Sequence, residues 1–121
     1  VDPITFAHAR LNEEAARIEA SIEGEIERLA ADGVEVNRNE LLTDDPPHYE
    51  SPFLRPLREV DVHRKLAHLH RPVGDGDVCA SLCHARAPGV IAQYPCPSAR
   101  VLATLWPDHA DYDQTWKPEE A

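Results

Sequence analysis

Leu11, Ala15, Ile18, Ile22, Ile26 and Leu29 recur at spacings of three and four, with no proline between Pro3 and the Asp32-Gly33 pair. On a helix of 3.6 residues per turn this spacing makes one continuous apolar stripe, so the chain opens with a single long helix over 1–33. Asp2 and Pro3 read as its N-cap and first helical position, where the missing proline N–H removes no bond. Glu13, Glu14, Glu19, Glu23, Glu25 and Glu27 flank the stripe. Gly24 sits inside it and costs about 1 kcal/mol relative to alanine, which either a close helix crossing or plain tolerance must explain. Gly33 is a natural stop, free to take the left-handed conformation. A stripe this long faces either the core or another helix, from a second copy or a different protein.

The remainder is broken into short pieces by most of the eleven prolines. Residues 34–55 form a connector without periodicity, in which Val34–Val36 offers a very short strand with no evident partner. His48, Tyr49, Phe53 and Leu54 are the residues able to pin its far end. A second helix spans 56–71, with Leu57, Val62, Leu66 and Leu69 inward and Arg58, Glu59, Arg64 and Lys65 outward. Pro72 closes it and Gly74–Asp77 is a turn. After a cysteine-rich loop over 72–96, a third helix covers 97–107, and one or both of Tyr112 and Trp116 in the 108–121 tail fold back on the body. The expected fold is mainly α, a single domain over 1–121 with three helices, one of them long.

Such a domain has a thin core, since two tryptophans, two phenylalanines and three tyrosines are its only large rings. That gives a metal staple physical value. Cys79, Cys83 and Cys96 crowd the turn-rich loop, and an odd number of thiols suits metal ligation better than a disulfide framework. Zinc takes four soft or borderline donors at tetrahedral corners, which thiolates on turns and an imidazole at a helix end can supply. The first two cysteines are separated by three residues, where a recognisable knuckle has two. His70 is the expected fourth ligand, because it would tie the second helix to the loop and to the third helix; His84 and His68 are its rivals. Free buried thiols and a disulfide are the competing readings.

The net charge of −10 is uneven: residues 1–50 hold thirteen acids against four bases, and residues 51–121 nine against eight. Direct binding to a phosphate backbone, which needs clustered Lys and Arg, is therefore not expected. An acidic surface serves solubility, recognises a basic protein, or imitates a nucleic acid. No apolar run reaches membrane-spanning length and no signal segment is evident, so a cytoplasmic location away from membranes is expected. Metalloprotease, phosphate-loop and nucleophile-elbow motifs are all missing, and Asp108, His109, Asp111 and Asp113 are a poor hard-metal set in a solvated tail.

Three stretches stand out together: the opening helix with Phe6 and Asn12–Arg17, the Leu57–Lys65 segment followed by a histidine, His68 or His70, and above all a C-terminal pattern. That pattern runs Pro95-Cys96-Pro97-Ser98, Arg100, Leu102-Ala103, Trp106, Asp108-His109, Asp111-Tyr112 and Trp116. In these stretches the chain resembles a catalogued family of small actinobacterial and phage proteins, domain-of-unknown-function family 6221. The Cys79–Cys83 spacing and Ala110, which stands at a proline position of the family pattern, depart from it. The resemblance implies one compact unit and brings no activity with it, since none is established for the family. The expected function is thus a non-enzymatic module with structural zinc that contacts a protein partner, with homodimerisation through the long helix as one route. An acidic inhibitor of a nucleic-acid-binding protein and a small metalloenzyme are the alternatives.

Overall fold

The computed structural model describes residues 2–46, 49–74, 78–80 and 94–117. These fall into two compact units, Val1–Leu11 with His63–Ala121, and Asn12–Val62. The described residues contain four helices where three were expected: α1 Pro3–Ala31, α2 Arg38–Leu41, α3 Leu54–Leu69 and α4 Pro97–Ala103. A two-stranded hairpin, β1 Pro72–Val73 and β2 Val78–Cys79, follows α3, and a 3-10 turn, Gln114–Trp116, lies in the tail. Among the described residues no helix is long and apolar enough to cross a membrane.

Both ends of α1 are set by the residues that the sequence singles out. Asp2 Oδ1 accepts from the amides of Ile4 and Thr5, each at 3.0 Å, and Oδ2 accepts the Thr5 hydroxyl at 2.7 Å. The Tyr94 hydroxyl donates to the same carboxylate, binding the helix start to a residue far along the chain. At the other end Val34 N–H bonds Leu29 C=O at 2.8 Å and Gly33 N–H bonds Ala30 C=O at 3.0 Å, with Gly33 at φ +81°. This pair of bonds is the Schellman motif, and the positive φ explains the glycine. Gly24 has no close crossing to explain it, because a Cβ there would meet nothing within 4 Å.

In the unit 12–62 the connector is organised by hydrogen bonds. Asn37 caps α2 by accepting from Glu40 N–H at 2.9 Å, and buried Leu41 presents its carbonyl to the Tyr49 hydroxyl at 3.1 Å and to the Ser51 hydroxyl. Ser51 Oγ in turn accepts from Phe53 and Leu54 N–H at 3.3 and 3.2 Å, which starts α3. A four-residue helix is too short to display a period, so α2 was invisible in the pattern. The start of α3 lies two residues before Pro56 because proline is tolerated anywhere in a first turn, whose N–H groups lack intrahelical partners. Residues 34–36 form no strand. On the α1 stripe Ile22 is fully buried, while Ala15, Ile18, Ile26 and Leu29 are half-buried.

The buried face of α3 differs from the expected one. Val62, Leu66 and Leu69 are 54, 42 and 54 % exposed, whereas Val60, Ala67 and His70 are buried. A side-chain pattern cannot tell which of two neighbouring faces turns inward when small Ala67 allows a closer approach than leucine. In the unit that holds residues 63–121, Ile4 and Ala7 of α1 pack with Ala67, Cys79, Cys96, Ala99 and Leu102. Phe6 packs with Ala103, Tyr112 and Trp116 in a second cluster, so both tail rings do fold inward. Regular α4 ends at Ala103, and the chain continues to Trp106 through i→i−3 bonds of 3.0–3.2 Å.

Burial raises the Asp2 pKa, but hydrogen bonds from Tyr94, Thr5 and Ile4 outweigh it and hold it below the ordinary carboxylate value. A carboxylate depressed in the folded state stabilises above its unfolded pKa of about 4, and that contribution is lost as pH falls through the folded value. Asp2→Asn keeps a capping oxygen without the charge. It should cost about 1 kcal/mol at pH 7 in urea unfolding, and the gap from wild type should narrow as pH falls below the ordinary carboxylate value of about 4. A gap independent of pH would contradict this account.

Candidate metal centre

Three chain segments deliver three soft or borderline donors to one point. His70 follows the last turn of α3, held by its N–H to Leu66 C=O at 3.2 Å. Pro72 stops the helix and the chain doubles back in the hairpin, pairing Pro72 with Cys79, while Ala80 N–H bonds Arg71 C=O at 2.9 Å. The reversal returns Cys79 to the helix end nine residues after His70. Cys96 is the N-cap of α4, extended at φ −74° and ψ 164° before Pro97, and its carbonyl accepts Arg100 N–H at 3.2 Å.

The Sγ atoms of Cys79 and Cys96 lie 3.4 Å apart, and His70 Nδ1 lies 3.6 and 3.5 Å from them. Tetrahedral zinc with Zn–S of about 2.3 Å and Zn–N of about 2.0 Å spaces its donors by about 3.5–3.8 Å. The triangle has the dimensions of one face of such a tetrahedron, and both cysteines are free thiols. All three side chains are buried, at 7, 1 and 0 % exposure for His70, Cys79 and Cys96. Burial pushes the Cys96 thiol above its ordinary pKa, as does the Cys79 thiol beside it, against the pull of the Ala99 and Ser98 amides. A bound divalent cation reverses that tendency, because thiolates neutralise it where neutral thiols cannot. This group could hold a metal ion, and among the described residues it is the one His, Cys, Asp or Glu cluster able to do so.

Of the four expected ligands, His70, Cys79 and Cys96 are brought together. Cys83 lies outside the described residues, as does the rival His84. His68 is exposed on α3 and does not belong to the cluster.

Two of the tail residues considered as a hard-metal set, His109 and Asp111, have another engagement, which sequence reasoning missed. The Arg10 guanidinium donates to the His109 ring, nearest its Nε2 and 2.8 Å from Nδ1, approaches Asp111 at 3.6 Å, and lies 5.4 Å from the centre of the Phe6 ring. Phe6 itself contacts Trp116 and Tyr112 at centroid distances of 5.2 and 6.0 Å. The one signal available was Arg10 four residues after Phe6, on the same face of α1. The Arg10 side chain is only 10 % exposed, so its aliphatic stem and planar head both pack. Arg10→Leu should therefore lower the urea-unfolding free energy by about 1–2 kcal/mol. Arg10→Lys should recover only part of this, and an unchanged midpoint in both variants would show the contact to be idle.

No curated protein and no solved structure matches the chain. The sequence model of the family of unknown function DUF6221 matches residues 1–118. The match spans nearly the whole chain, and the chain belongs to that family.

Proposed function

We propose that the chain is a small zinc-stapled protein-interaction module and not an enzyme. The observation that carries this reading is the buried triangle of His70 Nδ1, Cys79 Sγ and Cys96 Sγ, with sides of 3.4–3.6 Å. Two thiolates and an imidazole suit zinc, and the donors join the end of α3, the hairpin and the start of α4. The packing around them is largely alanine, Ala7, Ala67 and Ala99, which contributes little burial energy. The cation's role is thus to stabilise the fold, with Cys83 as fourth ligand and His84 as the rival. The same reading places the chain in a reducing compartment such as the cytoplasm, where the thiols remain available.

Full-length protein purified without added metal should carry one zinc per chain by elemental analysis. Chelation should lower the melting temperature by roughly 10 °C or more, as expected for loss of a ligand present far above its dissociation constant. Cys79→Ser, Cys96→Ser and His70→Ala should each weaken zinc binding by about 100-fold or more. Cobalt substitution then counts thiolates through its charge-transfer absorption, three if Cys83 is a ligand and two if it is not. A metal-free chain with an unaltered melt under strong chelation would end the proposal, and native mass on the same sample reports whether α1 pairs two copies.

A second reading rests on how charge is divided. Residues 12–62 hold fourteen carboxylates against five Lys and Arg, while the other unit holds eight against seven. Concentrated acids suit an inhibitor that imitates a nucleic acid toward a basic protein. Capture of nucleic-acid-binding proteins should then weaken steeply between 50 and 300 mM salt, and capture indifferent to salt would argue against it.

A further inference from the structure

Cys79 Sγ and Cys96 Sγ lie 3.4 Å apart and come from different elements: Cys79 ends β2, and Cys96 is the N-cap of α4. A disulfide has an S–S length of about 2.05 Å, so the two sulfurs need approach by only roughly 1.4 Å to bond. Three of their buried neighbours, Ala7, Ala67 and Ala99, are alanines, the side chains that least resist a shift of that size. His70 Nδ1, 3.6 and 3.5 Å from the sulfurs, is the one donor of the centre that such a bond leaves out.

Burial selects the oxidant. Cys79 and Cys96 are 1 and 0 % exposed, which shuts out a disulfide the size of oxidised glutathione and favours a small molecule. An open groove of about 370 Å³ reaches His70 and Ser98, the latter two residues after Cys96, and gives a small molecule an approach. Buried neutral thiols react poorly, but a bound zinc keeps both as thiolates, the nucleophilic form. We infer that the metal centre is also a peroxide-responsive switch, in which Cys79 and Cys96 exchange a shared cation for a disulfide. One thiolate sulfur attacks hydrogen peroxide: an S–O bond forms, the O–O bond breaks, and the departing hydroxide takes a proton from solvent. The second thiolate attacks the resulting sulfenic sulfur: the S–S bond forms, the S–O bond breaks, and a second hydroxide is protonated to water. In all, two thiolates, one peroxide and two protons become one disulfide and two waters, with two electrons passing from sulfur to the peroxide oxygens. The neutral disulfide no longer holds the cation. The hairpin and α4 stay joined, whereas the end of α3 loses its tie through His70. This inference rests on the zinc staple proposed above, since the cation supplies the thiolates.

The test treats the zinc-loaded full chain, freed of reductant, with a modest excess of hydrogen peroxide. A chromogenic zinc indicator should report one zinc released per chain as two thiols disappear, and non-reducing peptide mapping should find Cys79 joined to Cys96. Dithiothreitol with added zinc should restore both thiols and the metal. Backbone amide exchange should rise at Leu66–Arg71 on oxidation and not along α4. Oxidised glutathione at the same concentration should act at least about tenfold more slowly, and equal rates would overturn the choice of oxidant. Zinc retained under peroxide, a link through Cys83, a bond between two chains, or thiol loss that dithiothreitol does not reverse would each overturn the switch. So would exchange at Leu66–Arg71 that oxidation leaves unchanged. Zinc content before treatment separates the two proposals. A loaded chain that peroxide leaves intact overturns the switch alone. A chain that purifies without zinc overturns the staple; the switch is then upheld if peroxide still joins Cys79 to Cys96 reversibly, and overturned if it does not.

Discussion

Two thiols and an imidazole meet within hydrogen-bond range inside a core otherwise built of alanine and a few aliphatic groups. Buried sulfur and nitrogen donors this close gain little from one another as neutral groups, whereas a shared divalent cation would satisfy all three. The arrangement depends on backbone devices that cost no specialised residues. A proline ends α3, a hairpin returns the chain to the helix end, and an extended N-cap aims Cys96 inward before Pro97 starts α4. Each device places one donor, and the small residues Ala67 and Ala99 allow the segments to approach closely enough for the donors to meet.

The aromatic cluster does related work with different chemistry. Phe6, Tyr112 and Trp116 pack edge-to-face or tilted, and Arg10 presents a planar cation to the Phe6 ring and a donor to His109. This joins the first turns of α1 to the tail, much as the Tyr94 hydroxyl joins Asp2 to the residues before Cys96. Phe6, Tyr112 and Trp116 are thereby used to join the two ends, while around Cys79 and Cys96 the buried packing is Ile4, Leu102 and three alanines, with Tyr94 and Trp106 set against it.

Charge follows the same division of labour. The strongly acidic stretch belongs to residues 12–62, where Glu19 and Glu25 are partly offset by Arg38 and Arg28. Such exposed pairs are screened by solvent and add little, so the acids there reflect surface properties more than stability. In the near-neutral unit an apolar groove, lined chiefly by residues of α3 and α4 with no Lys or Arg among them, lies beside His70. Proximity of that groove to His70 means that whatever fixes the metal centre also sets the separation of its walls.

Local features were legible in the sequence because their causes are local. The span of α1, its Asp2 cap and its Gly33 stop follow from periodicity, a carboxylate at the right offset and a residue without a Cβ. The choice of Cys79, Cys83 and Cys96 rested on donor chemistry and that of His70 on the elements it would tie; the structure brings His70, Cys79 and Cys96 together, and Cys83 lies outside the described residues. What only the tertiary structure decided was orientation. Whether Leu66 or Ala67 of α3 faces inward, whether Arg10 meets solvent or His109, and whether α2 forms at all depend on contacts between residues remote in sequence. Periodicity names the candidate faces of a helix; the neighbour that packs against it selects one, because burial is a property of pairs of surfaces and not of a single segment.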